Sequence, residues 1–350
     1  MPRPRWMLLL EAFWWRALMK IGMFLHRLAS PRPRSPSFAR TIPATVSPRP
    51  GKIGLVFYAP QDYQLRRLGG WRFPIVINFH GGGFTIGTAT DDSRWATEVV
   101  CQVDAVVVSV SYRLAPAHPF PTAVEDGLDA ILYLAERADE LGLDLERVVL
   151  SGFSAGGNLA FTVPMRFHDQ IQRLRNTDSP GGGRAESLRR LEVEKLNSIK
   201  IVAIISWYPP TDFTTSTAIR RATCTRPQQA MPSFFVDLFD AAYICPPGST
   251  TWNPLLSPGV AADELLRVLP DNIVLFTCEW DMLRAEAERF GSRLKRDIRK
   301  NVTQTMIPEV AHAWDKAPNP LSVDKAVALY YAEACAALKR FLEKRVLEEC

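Results

Sequence analysis

Histidine is scarce in this chain, with five in 350 residues, at positions 26, 80, 118, 168 and 312. A reaction that needs an imidazole base therefore has few candidates. Six cysteines are scattered and form no C-x-x-C pair. That excludes a zinc knuckle or a disulfide framework and reads as a reduced, intracellular (cytoplasmic) protein. Neither G-x-G-x-x-G nor a glycine loop followed by Gly-Lys-Ser/Thr occurs, so no phosphate cradle is expected. No metal and no organic cofactor is implied. Long apolar runs are also missing. Glu11, Arg16 and Lys20 interrupt the aromatic-rich segment near the start, against a membrane span, and no A-x-A site follows to suggest a signal peptide.

The net charge of +5 is unevenly spread: residues 1–40 hold eight Lys/Arg and one acid, the remainder 34 bases and 36 acids. A near-neutral body offers no nucleic-acid surface. Within the arm, Leu10, Phe13, Trp14, Leu18, Ile21, Leu25 and Leu28 recur at helical spacing, and Arg16, Lys20 and Arg27 fall on another face. Amphipathic helices usually bury their apolar face in their own protein. Residues 1–45 are therefore expected to cover another part of the molecule. Contact of residues 1–30 with an anionic membrane is the alternative. "SPRPRSPSF" reads as an extended linker.

From residue 46 to 350, at 47% hydrophobic content for the whole chain, one large α/β domain is expected. Strands are predicted at 53–58, 73–79, 105–111, 147–151, 199–207, 272–277 and 302–307, with a polar loop over 61–72. Helices are predicted at 91–103, 121–141, 156–173, 283–299 and 322–348. This alternation implies a mostly parallel sheet with helices on both faces and reactive groups beyond the strands' carboxyl ends. Two segments break it: a charged insertion at 178–198, and a Pro-, Thr- and aromatic-rich one at about 210–255, too long for a plain loop.

The segment "VVLSGFSAGGNLA" runs from an apolar strand through Gly152-Phe153-Ser154-Ala155-Gly156 into a helix. That is the sharp G-x-S-x-G turn that lifts a serine hydroxyl clear of the backbone. A serine needs an imidazole base, and the base needs a carboxylate. In hydrolases that carry this turn the order is Ser, acid, His. His26, His80 and His118 precede Ser154, and His168 lies far along the next helix, so His312 remains. For the acid, Asp281 ranks first, since it follows the strand before the one carrying His312. Glu279 ranks second and Asp212 third. "INFHGGGFTIG" supplies backbone N–H groups for a developing oxyanion, joined by that of Ala155. His80 reads as a structural brace for this loop.

Taken together, "HGGGFTIG", "SVSYRLAPAHPFPTAVEDG", "SGFSAGGNLA", "NPLLSP", "CEWDMLRAEAERF" and "VAHAW" resemble the hormone-sensitive-lipase branch of the α/β-hydrolases over about residues 50–345. The resemblance implies an α/β-hydrolase fold with a helical cap from residues 1–45 and about 210–255. It implies catalytic Ser154, Asp281 and His312, and oxyanion glycines Gly81 and Gly82. Ala117 and Met282 depart from the family's usual Glu and Pro. The wording near the start resembles fungal members, some in secondary metabolism. The implied function is hydrolysis of a small to medium ester through an acyl-serine. The alternatives are acyl transfer, thioester or lactone chemistry, and a non-catalytic receptor like those for gibberellin, which lack the histidine. Oligomeric state is not readable.

Overall fold

The computed structural model describes residues 3–176, 193–245 and 251–347. Most of the expected insertion at 178–198 lies outside the described residues. Eight strands form one sheet: β1 (Phe38–Pro43), β2 (Lys52–Tyr58), β3 (Phe73–Phe79), β4 (Val106–Ser111), β5 (Leu143–Phe153), β6 (Ile201–Trp207), β7 (Asn272–Cys278) and β8 (Asn301–Ile307). Their spatial order is β1-β2-β4-β3-β5-β6-β7-β8. The β1–β2 and β2–β4 pairs are antiparallel and the rest are parallel.

Parallel strands need crossovers, and the crossover helices cover both faces of the sheet. Period-two alternation sorts the strand residues between them. Ile75, Ile77, Val108 and Leu150 pack with the helices Thr122–Glu136, Ala155–Asn176 and Arg284–Arg296. Val76, Val107, Val149 and Val274 pack on the other side with Trp95, Tyr331 and Leu338, from the helices Ser93–Val103 and Lys325–Leu347. All seven residues of β3 are buried as a result.

β1 was not expected. It is an edge strand with only Ile42 buried, so it lacks the apolar run that marks the central strands. The polar loop expected over 61–72 contains a short helix, Tyr63–Leu68. Tyr63 anchors it, its hydroxyl donating to the Leu141 carbonyl at 2.8 Å.

The N-terminal arm forms the helix Arg5–Leu28, but its faces are the reverse of the expected ones. Leu10, Phe13, Trp14, Leu18, Ile21 and Leu28 are exposed, whereas Leu8, Ala12, Met23 and His26 are buried. Arg16 turns inward and donates to the carbonyls of Thr85 at 2.8 Å and Ala115 at 2.7 Å. Arg27 donates to Thr90 Oγ1 at 3.1 Å. These contacts bind the helix to the loops after β3 and β4. Trp15 packs on Phe234 and Phe235, with ring centroids 5.3 and 4.5 Å away, on the helix Ser233–Tyr243 of the second unusual segment. The two segments singled out in the sequence thus meet above the carboxyl ends of the central strands.

Candidate active site

Ser154 follows β5 in the turn before the next helix, with φ of 51°, a left-handed conformation that a serine adopts only when its surroundings enforce it. Its N–H donates to the Trp207 carbonyl at 2.8 Å, and its carbonyl accepts the Asn158 N–H at 3.1 Å. The flanking glycines are required by close approach. A Cβ on Gly152 would lie 2.1 Å from the Gly156 carbonyl oxygen, and one on Gly156 would lie 1.9 Å from that of Phe79. Strand and helix cross so tightly there that only hydrogen fits.

Beyond β8, the loop brings His312 to this serine. Ser154 Oγ and His312 Nε2 are 2.8 Å apart, and His312 Nδ1 lies 2.6 Å from Asp281 Oδ2. With Nδ1–H donating to the carboxylate, Nε2 is left to accept the serine hydroxyl. Asp281 is held in turn, its Oδ1 accepting the Leu283 N–H at 3.0 Å. The other candidate acids are engaged elsewhere. Glu279 accepts the Glu309 N–H at 2.8 Å, and Asp212 accepts from Thr214 and Thr215. His168 bonds Gln172 within its own helix.

The glycine loop after β3 faces Ser154. Gly81 lies close enough that an added Cβ would be 3.5 Å from Ser154 Cβ. Among the described residues, no acceptor takes the N–H of Gly81 or Gly82. Ala155 begins its helix, so its N–H has no intrahelical acceptor either. His80 braces the loop: Nδ1 meets the Gly81 carbonyl at 2.8 Å, and the ring stacks on Tyr112 at 4.2 Å. Burial lowers its pKa and keeps the ring neutral.

A charged cluster lies beside the site, and nothing in the sequence pattern singled it out. Lys316 Nζ sits 2.9 Å from both Asp92 and Asp315, and 3.7 Å from the centre of the Phe153 ring. Asp315 also accepts the hydroxyls of Tyr208 at 2.5 Å and Tyr331 at 2.6 Å. Burial opposes the Lys316 ammonium, but Asp315 and Asp92 together raise its pKa above the ordinary value. Burial likewise opposes the Asp315 carboxylate, which Lys316 and the two hydroxyls nevertheless hold below the usual range. Tyr208 packs edge-on to His312 at 4.8 Å, so the cluster braces the loop that carries the imidazole.

Two cavities open from Ser154. The larger, of about 540 Å³, is lined by His312, Gly82, Trp15, Met19 and Phe235. The smaller, of about 50 Å³, is lined by Ala155, Phe213, Val236, Tyr243 and Met282, and Asp240 borders it. Burial pushes the Asp240 carboxyl up to about 6. No group of three or more metal-ligating side chains occurs among the described residues.

A family model described as the alpha/beta hydrolase fold matches residues 76–316. An AB hydrolase superfamily protein of Schizosaccharomyces pombe is 46% identical over 92 residues, 26% of this chain and 26% of its own length. Arylacetamide deacetylase-like 2 of Homo sapiens is 31% identical over 281 residues, 68% of this chain and 66% of its own. The chain thus spans between about a quarter and two thirds of the length of these curated relatives. Among solved structures, a Pyrobaculum calidifontis esterase superposes with a TM-score of 0.73 at 26% identity, over 94% of this chain and 92% of its own.

Proposed function

The chain belongs to the alpha/beta-hydrolase fold family, in its hormone-sensitive-lipase-like branch, and on that footing we propose that it is a serine carboxylic ester hydrolase. The observation that carries the reading is the unbroken line of hydrogen bonds from Ser154 through His312 to Asp281. Ser154 Oγ attacks the ester carbonyl carbon while His312 Nε2 takes its proton. Asp281 fixes the imidazole tautomer and stabilises the imidazolium. The carbonyl oxygen becomes an oxyanion among the N–H groups of Gly81, Gly82 and Ala155, which have no other partner among the described residues to give up. Collapse of the adduct expels the alcohol, which recovers its proton from His312. Water, activated by the same imidazole, then cleaves the acyl-serine and restores the hydroxyl.

The two cavities divide the substrate. The leaving oxygen must face His312, so the alcohol occupies the large cavity that His312 lines. The acyl group then points past Ala155 into the small one. At about 50 Å³ against about 540 Å³, the small space suits a short acyl chain and the large one a bulkier alcohol. The helix Arg5–Leu28 and the helix Ser233–Tyr243 act as the cap: the first walls the large space, the second borders both, and residues 38–43 of the expected 1–45 belong to the sheet as β1.

Hydrolysis of p-nitrophenyl esters of graded acyl length tests this. Activity highest on acetyl to butyryl esters, with a steep fall beyond, is the expected outcome. A maximum at long acyl chains would reverse the assignment of the cavities. If a fluorophosphonate labelled Ser154 but no ester was hydrolysed, water would not be the acyl acceptor and the hydrolase reading would fail.

A further inference from the structure

We propose that the helix Arg5–Leu28 docks the protein on an anionic lipid bilayer through its outward face. Trp6, Leu10, Phe13, Trp14, Ile21 and Phe24 follow helical spacing along one side and are 52–66% exposed. Scattered apolar side chains are ordinary on a surface, but a continuous stripe of large ones marks an interaction site. This orientation is firmly held. Turning the stripe inward would break the bonds of Arg16 to two carbonyls, of Arg27 to Thr90 and of His26 to Ala317.

Charge selects the occupant. The first 40 residues hold eight bases and one acid, against a body with a small acidic excess. Arg3 pairs with Glu11, whereas Arg5, Lys20, Arg32 and Arg34 have no carboxylate partner among the described residues. Lys20 is exposed one turn before Phe24, at the edge of the stripe. A second copy of the chain would bring two strongly basic arms face to face. Anionic headgroups would neutralise them while the acyl region takes up the aromatic side chains.

The helix is also a wall of the large cavity, through Trp15, Met19 and Met23 on its inner side. Leu18, which lines the cavity yet is 52% exposed, lies between the two faces. A docked molecule would hold its alcohol-side cavity against the lipid, suited to an ester dissolved in the bilayer. That delivery role rests on the esterase reading; the docking itself does not.

Co-sedimentation of the full chain with vesicles of phosphatidylcholine and phosphatidylserine at about 7:3 tests the docking by itself. Binding should be strong at low salt, weaken about tenfold in high salt and be slight on pure phosphatidylcholine. The double variant Phe13→Asp, Ile21→Asp should lose about tenfold or more in partitioning while hydrolysing a soluble short ester like the parent. Ser154→Ala should bind vesicles as the parent does, which separates failure of docking from failure of the esterase reading. Three results would overturn the proposal. One is a parent that stays in the supernatant with anionic vesicles. Another is a double variant that sediments equally well. The third is a parent that is dimeric and lipid-indifferent, with the variant monomeric, which would make a second copy the occupant.

Discussion

His26, in the last turn of the N-terminal helix, meets the carbonyl oxygen of Ala317 through Nδ1 at 3.0 Å, five residues beyond His312 in the chain. Arg94 donates from Nε to His26 Nε2 at 3.1 Å, so that nitrogen is the acceptor and Nδ1–H is the donor to Ala317. The ring is neutral in this arrangement. The arm and the loop carrying the proposed base are therefore joined through His26, and a proton on Nε2 would leave the bond to Ala317 but break the one accepted from Arg94, setting an imidazolium against the guanidinium.

That contact predicts a pH dependence. Burial, then the charge of Lys316, lowers the His26 pKa to about 4, below the ordinary value for a free histidine. The unfolded or undocked ring binds a proton more readily than the docked one. Its contribution to docking is complete above about pH 6.5 and is lost as pH falls toward 4. Limited proteolysis of the arm should be faster at pH 5 than at pH 7. His26→Gln should flatten that difference; an unchanged pH response in the variant would place the switch elsewhere.

The proposed triad predicts unequal losses. Ser154→Ala and His312→Ala should each reduce kcat on a short p-nitrophenyl ester by up to about a millionfold, with circular dichroism unchanged. Asp281→Asn should cost about ten-thousandfold, because the amide stabilises the wrong imidazole tautomer. Glu279→Gln and Asp212→Asn, whose carboxylates are bound elsewhere, should stay within about threefold of the parent. A large loss at Glu279 with little at Asp281 would reassign the acid.

Valine at Gly82 should lower kcat about a hundred- to thousandfold, with a smaller change in KM, because the loop's donors matter most when charge develops. Gly82 has φ of 108°, and an added Cβ would lie 2.3 Å from the Ile86 carbonyl oxygen, so the loop must move. Turnover unaffected by this change and by Gly81→Val would remove the loop from the reaction.

Lys316→Met should destabilise the fold by about 3–5 kcal/mol, since it leaves the buried carboxylates of Asp92 and Asp315 without their cation. Thermal unfolding measures this directly. A residual folded fraction at low temperature should show reduced kcat, through the loop that Asp315 and Tyr208 brace beside His312. A melting temperature equal to the parent's would mean the carboxylates find another partner.

Val236 borders the small cavity from the helix Ser233–Tyr243. Val236→Ala should shift the preferred acyl chain longer by one or two carbons, with each accommodated methylene contributing about 0.8 kcal/mol. Competing esters in one reaction give the ratio of kcat/KM directly. An unchanged ratio would place the acyl chain elsewhere.

The sequence by itself determined the local chemistry. Gly152 and Gly156 around Ser154 encode a turn whose crossing distances admit no other residue, and five histidines are few enough for chain order to single out His312. The central strands were legible because both their faces are buried, which leaves short apolar runs between helical repeats. β1 was not, because an edge strand with one buried residue is held by its pairing to β2 rather than by its own pattern. The amphipathic arm is the sharpest case. Its spacing defined two faces but not which would turn inward, because that was settled by carbonyl groups 69 and 99 residues away that accept from Arg16. The ion cluster around Lys316 and the unequal cavities likewise exist only once distant segments meet. Periodicity records what a helix or strand can present, and only the tertiary structure supplies the groups it is presented to.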